Sequence, residues 1–501
     1  MSKMKRWSAL LLAVLMMVSI LAGCGSKNGS GEKDTFIVAM RTDFVTFDPA
    51  KATATLNQAG LRVMYDPLVD IDQDGSVIPA VAESWEVVDN GAAYVFNIRQ
   101  GIKFHNGDPL TAEDVAFEIQ RESDAAARAT INVDSVEILG DYQVKVTMKE
   151  PDSLLLKELA MLLIPSKKAV EAAGDSYNEA PVGSGPYSFV SYSPSDMTTF
   201  TRFDEYWGDA AKIKNITFRY IPDNTTRALS LETGEVDYIV PMSAEDYETI
   251  KSNSDCVAVA DGGGMQYYLG FNLSNEYLSN KLVRQAISYA VDRSSIASGA
   301  FESTATPAYL PVASNEFGYT TEISFPKFNI EKAKELMKQA GMENGFSCNI
   351  VTTAGVSAKA CEILQAALKQ INIDLSIQQL EFSAYLDAWI TGNFDIMMDG
   401  WTNNLLDAHD FFYNVLTTTS DNNVYGYSNE KVDTLVQEAV TAGTDEERQA
   451  YYNELYNIII DECPIVPVVF SGVVYGYRSN VKDLYENAMF WVNYADISFA
   501  S

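Results

Sequence analysis

Alternating apolar and polar positions mark most of the strands. Phe36–Met40 (FIVAM) is apolar throughout and predicts a buried strand. Ser84–Val88 and Ala93–Ile98 alternate on either side of Asn90-Gly91, a hairpin signal. Val133–Leu139 with Gln143–Met148, and Tyr187–Tyr192 with Thr198–Phe203, predict two further strand pairs, and Ile216–Ile221 another strand. Thr111 is placed to cap a helix, with Asp114 at the reciprocal position. Pro151–Leu163 starts helical and is closed by Pro165. Asn224 is read as the cap of a short helix, Thr225–Glu232, with Gly234 just past its end.

From Tyr267 the chain becomes more helical. Asn280–Tyr289, Ile330–Ala340, Ala358–Gln370, Phe382–Ile390, Lys431–Ala442 and Glu446–Asp461 predict helices. Between and after them, Phe346–Thr352, Asp374–Gln379, Phe394–Met398, Val466–Phe470 and Val473–Tyr477 predict strands. The length suits two or three domains, and a mixed α/β chain with strands at both ends predicts interleaved lobes.

The first thirty residues carry an address. Lys3, Lys5 and Arg6 precede an apolar stretch, Trp7–Ile20, that has the proportions of a secretory signal rather than a membrane span. It ends in Leu21-Ala22-Gly23-Cys24, which resembles a bacterial lipoprotein cleavage motif. Residues 1–23 are therefore expected to be removed, Cys24 to be lipidated, and 24–33 to form a flexible tether reaching roughly 15–18 Å. Acyl chains contribute ~0.8 kcal/mol per buried CH₂, so two or three of them would hold the protein at the extracytoplasmic face of the membrane.

Charge narrows the partners. With 68 acidic against 36 basic residues the net charge is −32, which argues against a nucleic-acid partner. Cys256, Cys348, Cys361 and Cys463 match no metal spacing and read as buried free thiols. No cofactor is implied. Gly183-Ser184-Gly185 lacks the earlier glycine of a nucleophile elbow, and neither it nor Gly262–Gly264 continues into a phosphate-binding loop. Nothing in the chain therefore points to an enzyme.

Several segments in order resemble the dipeptide, oligopeptide and nickel-binding family of bacterial ABC-transporter solute-binding proteins, family 5. They are Ile78–Trp85 (IPAVAESW), Tyr94–Gly107, Leu110–Val115, Pro181–Tyr187 (PVGSGPY), Tyr206-Trp207-Gly208, Gly234–Asp237, Tyr268–Asn272 (YLGFN), Val283–Ile287, and Phe394-Asp395 before Gly400-Trp401. The resemblance implies a periplasmic-binding-protein-like clamshell. Lobe I would comprise 34–71, 184–264 and 475–501, with an inserted subdomain at 72–183, and lobe II would comprise 265–474. It also implies a monomer that binds a small solute, foremost a peptide, and hands it to permease subunits. An oligosaccharide, a nickel chelate or a non-transport receptor role are the alternatives.

In this family the cleft is lined by the segment after the first strand, the first crossing between lobes, and a late loop of the second lobe. That places candidate ligand contacts at Thr42, Asp43 and Phe44; at Gly264, Met265, Gln266 and Tyr267; and at Trp401, Asn403, Asn404 and Asp407. The chain departs from its relatives at both peptide anchors. Asn404 stands where peptide binders carry an amine-pairing aspartate, and Asp407 is the nearest replacement. Thr353–Ser357 has no arginine where dipeptide binders hold the peptide carboxylate. His409 alone makes no nickel site.

Overall fold

Apolar strands from both ends of the chain meet in one mixed sheet. A computed structural model describes residues 33–500 except 53–54, 73–74, 126–131, 302–303, 404 and 487–490. Residues from Thr35 to Ala500 form one unit. Along the sheet the strands run Ile373–Gln379, Phe346–Thr352, Ile396–Thr402, Cys256–Phe271, Ile465–Arg478, Tyr238–Val240, Thr35–Met40, Asn215–Tyr220, Met197–Arg202 and Tyr187–Ser193. Thr35–Met40 has Phe36, Val38 and Met40 in one apolar cluster and Ala39 in another, so both faces are covered. That is why its sequence is a continuous apolar run rather than an alternation.

The two longest strands, Cys256–Phe271 and Ile465–Arg478, pair antiparallel from Cys256 opposite Arg478 to Gly270 opposite Ile465. Their neighbours change halfway. Tyr238 and Ile239 flank the second strand at Tyr477 and Gly476, whereas Met265–Phe271 is flanked by Thr402–Ile396. The register slips between Asp261 and Gly264 at this changeover, and Gly264 has φ +147°, a conformation that favours glycine. The sequence suggested a glycine-rich loop and two short strands here. The structure has two continuous strands instead, because Gly262–Gly264 absorbs one offset within the ladder and a second shift, between Tyr267 and Tyr268, passes over Val468 of the partner strand.

Three larger apolar cores follow. One gathers Tyr268 through Val469 on the far side of the bulge. A second is built from Phe36–Tyr65, Tyr187–Val240 and Tyr475–Ile497. The third packs the antiparallel sheet Ala82–Val88, Ala93–Ile98, Gln143–Met148 and Val133–Gly140 beneath the helix Ala112–Ala125. Thr111 and Asp114 cap that helix as expected, Asp114 accepting the Thr111 N–H at 3.0 Å. The cap of Asn224–Glu232 is one residue earlier than expected, with Asp223 accepting from Thr226 N. Cys256, Cys348, Cys361 and Cys463 are buried and free. Among the described residues no helix is long and apolar enough to cross a membrane.

Gly183-Ser184-Gly185 stitches the second core to the third. A Cβ on Gly183 would stand 1.9 Å from the Met64 carbonyl oxygen, and one on Gly185 2.6 Å from the Met64 carbonyl carbon. Between them the Ser184 hydroxyl donates to buried Asp66 at 2.9 Å. The motif is therefore a close backbone crossing, and Gly183→Ala is expected to destabilise the protein by about 3 kcal/mol through overpacking. Chemical denaturation of the variant beside the parent checks this.

Candidate functional site

The hinge strands carry two adjoining cavities on one side. The first, of about 390 Å³, is walled by Arg41, Asn224 and Arg227 from one end of the sheet, by Gly264 and Gly472 at the changeover, and by Phe301 beyond it. The second, of about 330 Å³, lies between Met265, Phe382, Leu386, Trp389 and Trp401. Met265 and Tyr267 line both. Alternation along the strand puts these two side chains on one face and Gln266, between them, on the other.

Of the sequence-based candidates, Gly264, Met265, Tyr267 and Trp401 lie at this wall. Others need correction. Phe44 is core, stacked 5.2 Å from Phe47 and edge-on to Phe218 at 5.3 Å. Asp43 holds the hairpin Tyr187–Arg202, accepting from Tyr192 Oη at 2.9 Å and Ser195 N at 2.7 Å. Thr42 is exposed but lines neither cavity. Gln266 is buried, its Nε2 donating toward Leu310 O. Asn403 closes its own loop, with Nδ2 donating at 2.9 Å to both Glu316 and the Asp407 carbonyl. Asn404 and Cys24 lie outside the described residues.

Asp407 is also corrected. Its side chain is 0% exposed and forms an ion pair with Arg448 at 2.5 Å. Tyr452 Oη donates to it at 2.6 Å, His409 N at 3.1 Å, and Lys157 approaches at 3.5 Å. A carboxylate so enclosed has no lone pair left for a ligand's ammonium. Instead it fastens the third core to the first, together with Lys157 Nζ on Leu406 O and Ser153 N on Val440 O. On the opposite margin of the cleft Lys359 faces Glu245 at 4.0 Å. Sequence reasoning places the segment Arg41–Phe44 at the cleft but singles out Thr42, Asp43 and Phe44 rather than Arg41, and it misses Asn224, Arg227 and the exposed face of the helix Phe382–Thr391. Period-3.6 spacing of Phe382, Leu386 and Trp389 was the available signal for the helix.

The electrostatics of the wall are one-sided. Among the described residues no carboxylate lines the first cavity. In the second the one acid among the described residues is Asp399, which accepts from Tyr385 Oη at 2.8 Å, Trp389 Nε1 at 2.9 Å, Tyr268 Oη at 3.2 Å and Tyr425 Oη. His409 is half-buried beside Tyr413, and the loss of water around its ring pushes its imidazole down to about 4. Among the described residues no group of three potential metal ligands comes together.

A sheet crossed by two hinge strands, with cavities along the crossing, defines a solute receptor. The chain belongs to the bacterial extracellular solute-binding proteins, family 5, whose middle-region model matches residues 76–423. It is 28% identical over 503 residues to the glutathione-binding protein GsiB of Escherichia coli strain K12, covering 96% of each chain. The structure of HbpA2 from Haemophilus parasuis superposes with a TM-score of 0.85 at 25% identity, covering 93% of this chain and all of that one. DppA from Helicobacter pylori, in complex with the peptide STSA, gives a TM-score of 0.76 at 26% identity over 94% of this chain and 99% of that one. The protein is thus an extracytoplasmic clamshell that binds a solute for an ABC importer and is not an enzyme.

Two outcomes follow from the geometry. Asp407→Asn leaves Arg448 and Lys157 uncompensated and is expected to cost about 3–5 kcal/mol of stability, measured by denaturant titration. Burial depresses the folded pKa of His409 below its unfolded value of 6.5, so the unfolded chain takes up the proton first. Its contribution is complete above pH 6.5 and is lost as pH falls toward 4. His409→Gln should therefore show a smaller drop in melting temperature than the parent across that interval.

Proposed function

We propose that this chain is a lipid-anchored receptor that takes a peptide-class solute between two lobes and presents it to permease subunits. Its lobes are 34–71, 184–264 and 475–501 for the first, with 72–183 inserted, and 265–474 for the second. The observation that carries this reading is the pair of adjoining cavities, walled by Arg41 and Asn224 on one side of the bulge and by Phe301, Phe382 and Trp401 on the other. A solute touching both walls stabilises the closed arrangement over the open one, which is a shift of a pre-existing equilibrium. The names of the relatives support the peptide class, glutathione being a tripeptide and STSA a tetrapeptide. Membrane attachment is through Cys24, as the leader motif implies.

A thermal-shift screen of the full chain in detergent against peptides of graded length, oligosaccharides and nickel chelates tests the ligand class. A peptide present at about 100 times its dissociation constant is expected to add ~2.7 kcal/mol. Stabilisation by a sugar or a chelate and by no peptide would overturn the peptide reading. Cys24→Ser is expected to move the protein from the membrane pellet to the soluble fraction on cell fractionation. Continued sedimentation with membranes would contradict the anchor.

A further inference from the structure

The cleft has two chemically unlike ends in a strongly acidic protein. Arg41, directly after the strand Thr35–Met40, is exposed and has no hydrogen bond or ion pair among the described residues. Behind it stands Arg227, 1% exposed, which forms no ion pair among the described residues. Its guanidinium donates to the carbonyls of Ile221 at 2.7 Å, Pro222 at 3.3 Å and Pro241 at 2.7 Å, and to Asn224 Oδ1 at 2.7 Å. Burial and then the charge of Arg41 push the Arg227 pKa down, with Asp246 and Asp223 opposing. Those two acids are already engaged. Asp223 caps its helix at Thr226 N, 2.8 Å, and Asp246 accepts from Ser243 Oγ at 2.5 Å. Neither lines the cavity. The Arg41 guanidinium thus meets the cavity with the buried charge of Arg227 behind it and no acid among the described residues of the wall, an arrangement that an incoming anion relieves.

The other end is apolar. Phe382 is 66% exposed, with Leu386 and Met265 also open, over the half-buried rings of Trp389 and Trp401. Exposed side chains of this size clustered in a concavity mark a binding surface rather than a solvated face. Asp399 beneath them is saturated by three tyrosine hydroxyls and an indole N–H. Asp407 is sealed in its ion pairs.

We infer that the cleft recognises an amphipathic anion, with a carboxylate at the Arg41 end, an aliphatic or aromatic side chain on the Phe382–Trp401 end, and no contribution from a free ammonium. Among peptides this means selection by the C-terminal carboxylate and indifference to blocking of the amino terminus. The inference rests on the interlobe cavities being the solute site. The guanidinium of Arg41 supplies a charge-assisted, forked contact that an amide cannot reproduce.

Isothermal titration calorimetry of the full chain in detergent, with Phe-Ala-Ala in free, N-acetylated, C-amidated and doubly blocked forms, tests it. Amidation is expected to weaken binding by about tenfold or more, as loss of a charged hydrogen bond implies, and acetylation by less than about threefold. Arg41→Gln should erase the difference between acid and amide, whereas Trp401→Ala should weaken both alike. An amide that binds as tightly as the acid, or an acetyl group that costs more than the amide, overturns the inference. If no form of the peptide binds, the peptide reading fails by itself, and the same contrast is read with 4-phenylbutyrate against 4-phenylbutyramide. Binding of that acid by the parent and not by Arg41→Gln sustains the inference. No binding of either compound overturns it.

Discussion

Everything in this fold that concerns ligand depends on one ladder, the antiparallel pairing of Cys256–Phe271 with Ile465–Arg478. A strand pair is stiff along its length because each residue is held by its partner, yet it twists readily where the register slips. The slip lies between Asp261 and Gly264, opposite Gly472, where the flanking strands change from Tyr238–Val240 on one side to Ile396–Thr402 on the other. Two separately packed cores are therefore joined at this changeover, where Ala305–Pro307 also pairs with Ser471–Val469 and Gly472 N donates to Thr304 O at 3.1 Å. The cavities open at the same place, so a solute bound there acts directly on the joint.

Buried charge is used elsewhere to fasten segments to this ladder. Arg284 donates to the carbonyls of Leu278, Ser279, Glu462 and Cys463, which fixes the turn leading into the second hinge strand. Arg293 donates to Pro467 O at 2.8 Å within that strand. Asp407 pairs with Arg448 inside the far core, and Lys157 from the neighbouring sheet domain approaches it at 3.5 Å. These groups are committed, and removing one partner exposes the cost of burying the other. The cleft wall is the exception, with Arg41 uncommitted among the described residues and Phe382, Leu386 and Ile390 exposed along Phe382–Thr391.

Much of the scaffold could be read from periodicity. Phe346–Thr352 has the same limits in sequence and structure, and most hairpins agree to within a residue or two, because turn residues and alternation specify register locally. The family-like motifs proved to be joints. Gly270 of Tyr268–Asn272 passes so close to Tyr425 that a Cβ would lie 2.0 Å from its ring, and Arg284 of Val283–Ile287 pins the hinge approach. The site was less legible. Asp43, Gln266, Asn403 and Asp407 all have the chemistry of ligand contacts, and each is spent on the backbone or on a neighbour. Polarity along a sequence does not reveal whether a group already has a partner. Recognising Cys256–Phe271 as a strand would have separated Met265 and Tyr267 from Gln266 by alternation alone.

The central claim is that two bodies move about this ladder when the cleft fills. Spin labels at Glu248→Cys, on the helix Ala244–Ser252, and Glu362→Cys, on the helix Val356–Leu368, sit on exposed positions to either side of the cleft. Cys256, Cys348, Cys361 and Cys463 are buried and will not compete for the label. Pulsed dipolar spectroscopy with a saturating cleft solute is expected to give a shorter and narrower distance distribution than the solute-free protein, while a control pair within 265–474 stays fixed. An unchanged distance across the cleft, or a change confined to the control pair, would contradict the account.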